Sequence, residues 1–439
     1  MIAIPSLPSI PVMHAIPMSP RFRLSVLFAL LAGMLLVMTL AWHVPMMLWD
    51  HLDLVPIYAS WQSGALADSA FFAVHGGHMH TAAYAVLLAT TALSHGQPWL
   101  DCVASWLLLL VHAGIITMFI RETFANELPR SIGVAALLVL LALHPGHLAN
   151  LQWGWQVAVF LCLAGTSATI LALTRPGLTV AQQSLALAAA TVAYFSFATA
   201  IALLPTALVL IALRSDVPPR HRLLAALPWL IAIGAVALQY RGLETHAARA
   251  GVAAITVYAL NFLGAGIARF ATDLAPWGAL GALVVAAITL ARGGREGIRL
   301  PWLGLALFAA CASVLVALGR AAPFGGEHAF VTRYVSFSSL FWIGCSGLVA
   351  STWRERLPRA LRLGFVVVTL FTLANAVHMV GKARQVASRT RAIAATIRSD
   401  WPAVDPALLG EVYFDQPDVA RERLEALHSL GFAPFDGGP

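Results

Sequence analysis

The chain has 439 residues, 59% of them hydrophobic and 11% charged, with a mean hydropathy of +0.80 and a formal net charge of +7. A soluble domain carries about 25% charged residues, so this composition excludes a soluble globular protein and predicts an all-α, polytopic transmembrane bundle. The positive excess is loop arginine, which reads as a topology signal and points to a lipid bilayer, not to nucleic acid.

Residues 1–20 are apolar and Pro-rich. Arg21 and Arg23 then precede a long apolar run that no small-residue cleavage site closes, which predicts an uncleaved first span. At about 20 apolar residues per crossing, the chain offers Leu24–Trp42, Leu100–Ile120, Ser131–Leu143, Trp153–Leu173, Ser184–Tyr194, Ala198–Leu213, Leu223–Tyr240, Trp277–Ala291, Trp302–Leu318, Val335–Ser351 and Leu363–Val380, about eleven spans. Cys102, Cys162, Cys311 and Cys345 fall in apolar segments without metal-ligand spacing and read as small packing residues.

One set of loops carries Arg21 and Arg23; Arg121 and Arg130; Arg175; Arg214, Arg220 and Arg222; Arg292, Arg295 and Arg299; and Arg354, Arg356, Arg359 and Arg362, fifteen in all. The opposite set carries five: Arg241, Arg249, Arg269, Arg320 and Arg333. The bias predicts a cytoplasmic N-terminus. A full crossing by Val252–Phe270 would reverse the Arg292 loop, so that stretch reads as re-entrant or interfacial, and the C-terminus as extracytoplasmic. Lys382 is the sole lysine, and the Arg-for-Lys and Ala/Leu bias suggests a bacterial genome, hence a bacterial inner membrane. Residues 1–380 read as the bundle. Residues 381–439 read as a small extracytoplasmic tail, with a helical run at Asp418–Leu430 and a weakly amphipathic stretch, Arg384–Arg398, suited to the membrane surface. The absence of a phosphate-binding glycine motif argues against a fused ATPase.

The chemistry-bearing residues gather in the loops opposite the arginine-rich ones. The first such loop, 43–98, is long for a compact bundle, and loops of that length are usually functional or disordered. It opens on an amphipathic helix with Trp49, Leu52, Ile57 and Trp61 toward lipid or protein, and Asp50 and Asp53 share a face three residues apart. Carboxylates at an interface must be solvated, paired or used. They fit a general base, a divalent-cation site, or plain solvated loop acids. An interfacial helix is expected from His78 to about Leu93. His75, His78 and His80 are metal candidates only by residue type, since HxxHxH is not an established ligand spacing; His78 and His80 also suit substrate contact. In the next loop, His144, His147, Asn150, Gln152, Trp153, Trp155 and Gln156 mix aromatic faces with hydrogen-bonding groups, which suits sugar binding (Trp153 and Gln156 above all) and equally an aromatic belt. Arg320 and Arg333, the latter beside Tyr334, are rare arginines for that side. Their planar forks suit a phosphate, or they snorkel at span ends.

Together these residues resemble a family, the GT-C class of membrane glycosyltransferases. The points of similarity are an acidic first outer loop (Trp49, Asp50, His51, Asp53), a His-containing stretch (Gly77, His78, Met79, His80), the run Asn150–Gln156, the turn Tyr194–Ala198, and a late Gly319-Arg320 followed by Arg333-Tyr334. The resemblance covers roughly residues 20–380. It implies inverting transfer of a sugar from a polyprenyl-phosphate carrier to an extracytoplasmic acceptor of the cell envelope, with Asp50 or Asp53 as base and Arg333, joined by Arg320, clamping the donor phosphate. No cofactor is required, and a divalent cation is compatible. The chain departs from the class in lacking an acidic doublet and an acidic-His-Arg run. Two other readings use the same residues: a non-catalytic envelope-assembly protein, and a lipid-linked glycan transporter or flippase. The near absence of charge within the spans disfavours a transporter.

Overall fold

A computed structural model describes residues 19–125, 127–239, 250–292, 297–353 and 357–435. Arg241, Arg249, Arg295, Arg354 and Arg356, all used above to orient the spans, lie outside the described residues, as do residues 1–18 and Tyr240.

In chain order the helices are α1 (Pro20–Trp42), α2 (Leu54–Gln62), α3 (Asp68–Phe71), α4 (Thr81–Ser94), α5 (Trp99–Thr123), α6 (Leu128–Leu143), α7 (Leu148–Leu151), α8 (Val157–Thr174) and α9 (Val180–Tyr194). Then follow α10 (Leu203–Ala212), α11 (Pro219–Gln239), α12 (Val252–Ala268), α13 (Ala275–Arg292), α14 (Leu300–Phe324), α15 (Val335–Thr352), α16 (Arg359–Asp400), α17 (Pro406–Val412) and α18 (Pro417–Leu430). Between α3 and α4 a short antiparallel hairpin pairs β1 (Val74–His75) with β2 (His78–Met79). The fold is thus an all-α, multi-span bundle. Local signals set several starts: Ser19 caps α1 by accepting from Phe22 N at 3.2 Å with Pro20 next, and Thr179 and Gln182 form a capping box on α9.

Each of the eleven expected spans falls on a helix. Among the described residues nine helical segments are long and apolar enough to cross a membrane. The expected Ser184–Tyr194 and Ala198–Leu213 are shorter: α9 has 15 residues, and Ala198–Ala212 is counted with Thr81–Ser94 and Val252–Ala268 as short apolar helices. At 1.5 Å per residue, 15 residues span about 22 Å, less than a core of about 30 Å.

The bundle is built around α15 and α8. Within Thr332–Thr352, 94% of the most apolar window is buried and within Gly154–Thr174 83%, against 6% in Pro219–Gln239. Small residues let α14 and α15 approach closely, as membrane helices do. A Cβ on Gly344 would stand 2.4 Å from Ala306 N and 2.6 Å from Trp302 O. Gly344→Ala is therefore expected to cost about 1–3 kcal/mol by overpacking and to lower the unfolding temperature in detergent. Gly114→Ala, whose Cβ meets nothing within 4 Å, should not.

One end of this bundle, called the rim below, carries the 43–98 loop. The two central helices begin there, with Trp155 and Gln156 just before α8, and Arg333 and Tyr334 just before α15. Helix α12 is a short apolar helix packed on α14, on α15 and on the segment after α14. Tyr258 Oη meets His328 Nδ1 at 2.8 Å in the segment after α14, and Arg269 N, just past the end of α12, donates to Asn375 Oδ1 of α16 at 3.1 Å.

The tail departs from expectation. Helix α16 runs 42 residues without a break at 380, about 63 Å, so Arg384–Arg398 continues a span and does not lie flat on the membrane. Beyond it, α17 and α18 fold back on the 43–98 loop: the Phe432 ring packs on Tyr58 with centroids 5.3 Å apart, and Trp49 Nε1 donates to Glu411 O at 3.1 Å.

Candidate active site

Residues 49–53 form a 3-10 turn, in which i and i+3 eclipse, so Asp50 and Asp53 face the same way. The β1–β2 hairpin then brings His75 over them. Its two-residue tip, Gly76-Gly77, has φ of +56° and +85°, the left-handed pair that a tight twisted hairpin requires and that glycine adopts without strain. His75 Nε2 lies 3.4 Å from Asp53 Oδ2 and 3.8 Å from Asp50 Oδ1, with all three side chains partly exposed. The third wall comes from the tail: Tyr413 Oη donates to Asp53 Oδ1 at 2.7 Å. Burial raises the Asp53 carboxyl above its ordinary value and is opposed by the Tyr413 hydrogen bond and the His75 charge, while Asp50 adds to the rise. The hydrogen bond to Asp50 raises His75, against burial.

His51 turns the other way. It is fully buried, with Nε2 3.6 Å from Asp101 Oδ2, and Asp101 accepts from Thr90 Oγ1. Burial pushes His51 down to about 3, so it is neutral. Gly154 is closed in by this pair, since a Cβ there would stand 2.8 Å from both Asp101 Oδ2 and His51 Cε1.

Below His75 lies an aromatic floor. The Trp155 ring is 5.8 Å from His75 and 5.1 Å from His80. His80 is buried and pushed down to about 4 by that burial. His78 stacks on Phe197 at 4.2 Å, and its Nδ1 accepts from Ala198 N at 3.1 Å. It is held well below its usual range by burial first, then by the charges of His80, Arg333, Arg320 and His75. Both arginines therefore lie within electrostatic range of His78. Arg320 donates to Gly76 O at 3.2 Å, one residue from His75, and lies over the Phe324 ring at 5.5 Å. Arg333 has no carboxylate within ion-pair distance among the described residues. Beside it Tyr334 is buried against Phe262. The hairpin thus separates an acidic pole (Asp50, Asp53) from a basic one (Arg320, Arg333), with neutral imidazoles between.

Several expectations change. The interfacial helix begins at Thr81, and His78 lies in β2. Trp155, not Trp153, floors the site; Trp153 meets Trp49 edge-on at 5.3 Å, and Gln156 is buried behind. His144, His147 and Asn150 do not line the opening. They are wholly buried and turned inward, His144 onto Ser339, and His147 and Asn150 onto Ser336, each at 3.0 Å.

Among the described residues one group is capable of holding a metal ion. Asp50, Asp53 and His75 each offer a ligand atom, all within 4.8 Å of one another. His78 and His80 stand outside it. The set suits a divalent cation. A cation must displace the His75 proton, and that proton is held to a higher pH than usual, so Zn2+ affinity should rise between pH 6 and pH 8. Calorimetric titration should show this in the native protein and lose it in His75→Gln.

The sequence matches no known protein family and no curated protein. Among solved structures it is similar to ArnT from Cupriavidus metallidurans in the apo state, at 15% identity and a TM-score of 0.50, over 94% of this chain and 76% of that one. It is also similar to ArnT from the same organism bound to undecaprenyl phosphate, at 14% identity and a TM-score of 0.49, over 92% and 75%. At these identities the likeness establishes the fold alone, an all-α, multi-span membrane bundle.

Proposed function

We propose that the protein is a membrane glycosyltransferase that moves a sugar from a polyprenyl-phosphate carrier to a hydroxyl acceptor on the extracytoplasmic side of a bacterial inner membrane, with inversion. The observation that carries this reading is the hairpin, with a carboxylate pair against His75 and with Arg320 and Arg333 within electrostatic range of His78, Arg333 having no acid at ion-pair distance among the described residues. The likeness in fold to ArnT, over 94% of the chain, supports it.

Asp53 is the base, the partly buried carboxylate with a raised proton affinity. It takes the proton of the acceptor hydroxyl. The acceptor oxygen bonds to the anomeric carbon as the bond from that carbon to the phosphate oxygen breaks, and the electron pair leaves with the phosphate. Arg333 and Arg320 meet the charge that develops there. Asp50 holds His75 in place, and Trp155 with His78 and His80 offers flat faces to the sugar. The isoprenoid chain lies between spans, in the bilayer.

Proteoliposomes given a polyprenyl-phosphate sugar and an envelope glycolipid extract should release polyprenyl phosphate. Arg333→Ala should weaken donor use roughly 10- to 100-fold, the worth of about 1.5–3 kcal/mol for a hydrogen bond to a charged group, mostly in KM for the donor. Equal release by the native protein and by Arg333→Ala would remove the phosphate-clamp role. No release with any donor from a panel of polyprenyl-phosphate hexoses and pentoses would favour the non-catalytic reading.

A further inference from the structure

Away from the rim site, the faces of α13, α15 and α16 leave an apolar groove of about 550 Å³, lined among others by Leu274, Trp277, Gly281, Val349, Gly364 and Phe371. Glycines open it, and its outward side chains face lipid, Trp277 being 71% exposed. Its upper end is cationic. Ile267 and Phe371 line the groove, the Phe270 ring packs on Phe371 at 5.4 Å, and Arg269 follows Ile267 by two residues. Arg269 is half-buried, held through its backbone N by Asn375 and through Nη1 by Met379 Sδ at 3.0 Å, and it has no carboxylate partner among the described residues. His378 lies within electrostatic reach of both Arg269 and Lys382, one helical turn apart from Lys382 on α16. Asp273, exposed on the α12–α13 turn, pairs with none of them.

We infer that this groove is a binding site for one anionic glycerophospholipid, its phosphate at Arg269, His378 and Lys382 and one acyl chain along α13 and α16. Two observations converge on that occupant. The cationic cluster sits at the head of the groove, where a headgroup would lie, and uncompensated cations at a membrane surface select anionic lipid. From Phe371 back to Ala360 the groove follows α16 for roughly 17 Å at 1.5 Å per residue, below a headgroup held by Arg269 beside Asn375 and Met379. That is the reach of one acyl chain and far short of a long isoprenoid. The inference does not depend on the proposed reaction.

Trp277 is the reporter. The full-length protein is reconstituted in phosphatidylcholine vesicles with brominated phosphatidylglycerol or brominated phosphatidylcholine at equal fraction, and Trp277→Phe supplies the background from the other tryptophans. Quenching at Trp277 should be stronger with brominated phosphatidylglycerol, with an apparent preference on the order of fivefold for each cation engaged. Arg269→Gln with Lys382→Gln should abolish the preference. Lys382→Gln alone, at an exposed position, should reduce it and keeps the test valid if the double variant fails to fold. Equal quenching by the two brominated lipids, or a preference unchanged in Lys382→Gln, overturns the site. Displacement of brominated phosphatidylglycerol by stoichiometric undecaprenyl phosphate would overturn the occupant, since an isoprenoid would then own the groove.

Discussion

Asp53→Asn should abolish sugar transfer, by about 10²–10⁴-fold in kcat, while the protein still inserts, purifies as a single species and keeps its unfolding temperature. The substitution keeps shape and an acceptor oxygen for Tyr413, whose hydroxyl now reaches Asp53 Oδ1 at 2.7 Å. It removes the one function an amide cannot supply, accepting a proton in the transition state. The loss corresponds to roughly 3–5 kcal/mol of transition-state stabilisation, more than any single contact in the site contributes to folding. The pH profile of the native protein carries the sign. A base must be ionised, and burial raises the Asp53 proton affinity, so the rate falls as pH drops through a value above the ordinary carboxylate range. Asp50→Asn should act differently, because Asp50 is the main support of the raised His75. Metal affinity at pH 6 and substrate KM should change before kcat does. If Asp53→Asn turns over at the native rate, no carboxylate at the rim acts as base, and the site becomes one for binding alone.

Much of this was legible from residue order. Long apolar runs cross membranes for a reason of solvation, so every predicted span is a helix. The pairing of Asp50 with Asp53 also follows from spacing, since either an α-helical or a 3-10 turn aligns i with i+3. Trp155 could not be told from Trp153. The chain between Leu151 and Val157 is an irregular turn with no period, and which indole enters the site depends on Asp101 and His51 closing around Gly154. His144 and His147 looked like rim residues because they follow a span, yet serines on α15 give them buried partners. Residue 380 looked like a boundary because hydropathy drops there. The Ala- and Arg-rich sequence that follows is still good helix former, so the helix outlasts the apolar signal. The available clue to the tail's docking was its unmatched apolar set, Leu409, Val412, Leu424, Leu427 and Phe432, all buried although the surrounding sequence is polar.

Removing residues 401–439 should therefore cost activity nearly as much as Asp53→Asn, at least about 100-fold, although no proposed catalytic residue is deleted. The tail is the lid of the 49–62 segment. Phe432 covers Tyr58, Glu411 O accepts a hydrogen bond from the Trp49 indole N–H, and Tyr413 holds Asp53. Each apolar side chain uncovered costs about 1.5–3 kcal/mol, enough to free a short 3-10 turn that has few bonds of its own. Chymotrypsin should then cut between Trp49 and Phe72 while the spans stay intact, since α8 and α15 pack independently of the tail. Tyr413→Phe separates the tail's electrostatic effect from its packing. The ring stays, but the donor that lowers the Asp53 proton affinity is gone, so the acid limb of the rate profile should move to higher pH by about one unit for a charge-assisted bond worth about 1.5 kcal/mol, with the rate on the alkaline side near native. A truncated chain with the native rate would return the tail to the status of an appendage. A Tyr413→Phe limb that does not move would leave Asp53 in the site but outside proton transfer, because a base whose proton affinity changes must carry the pH profile with it.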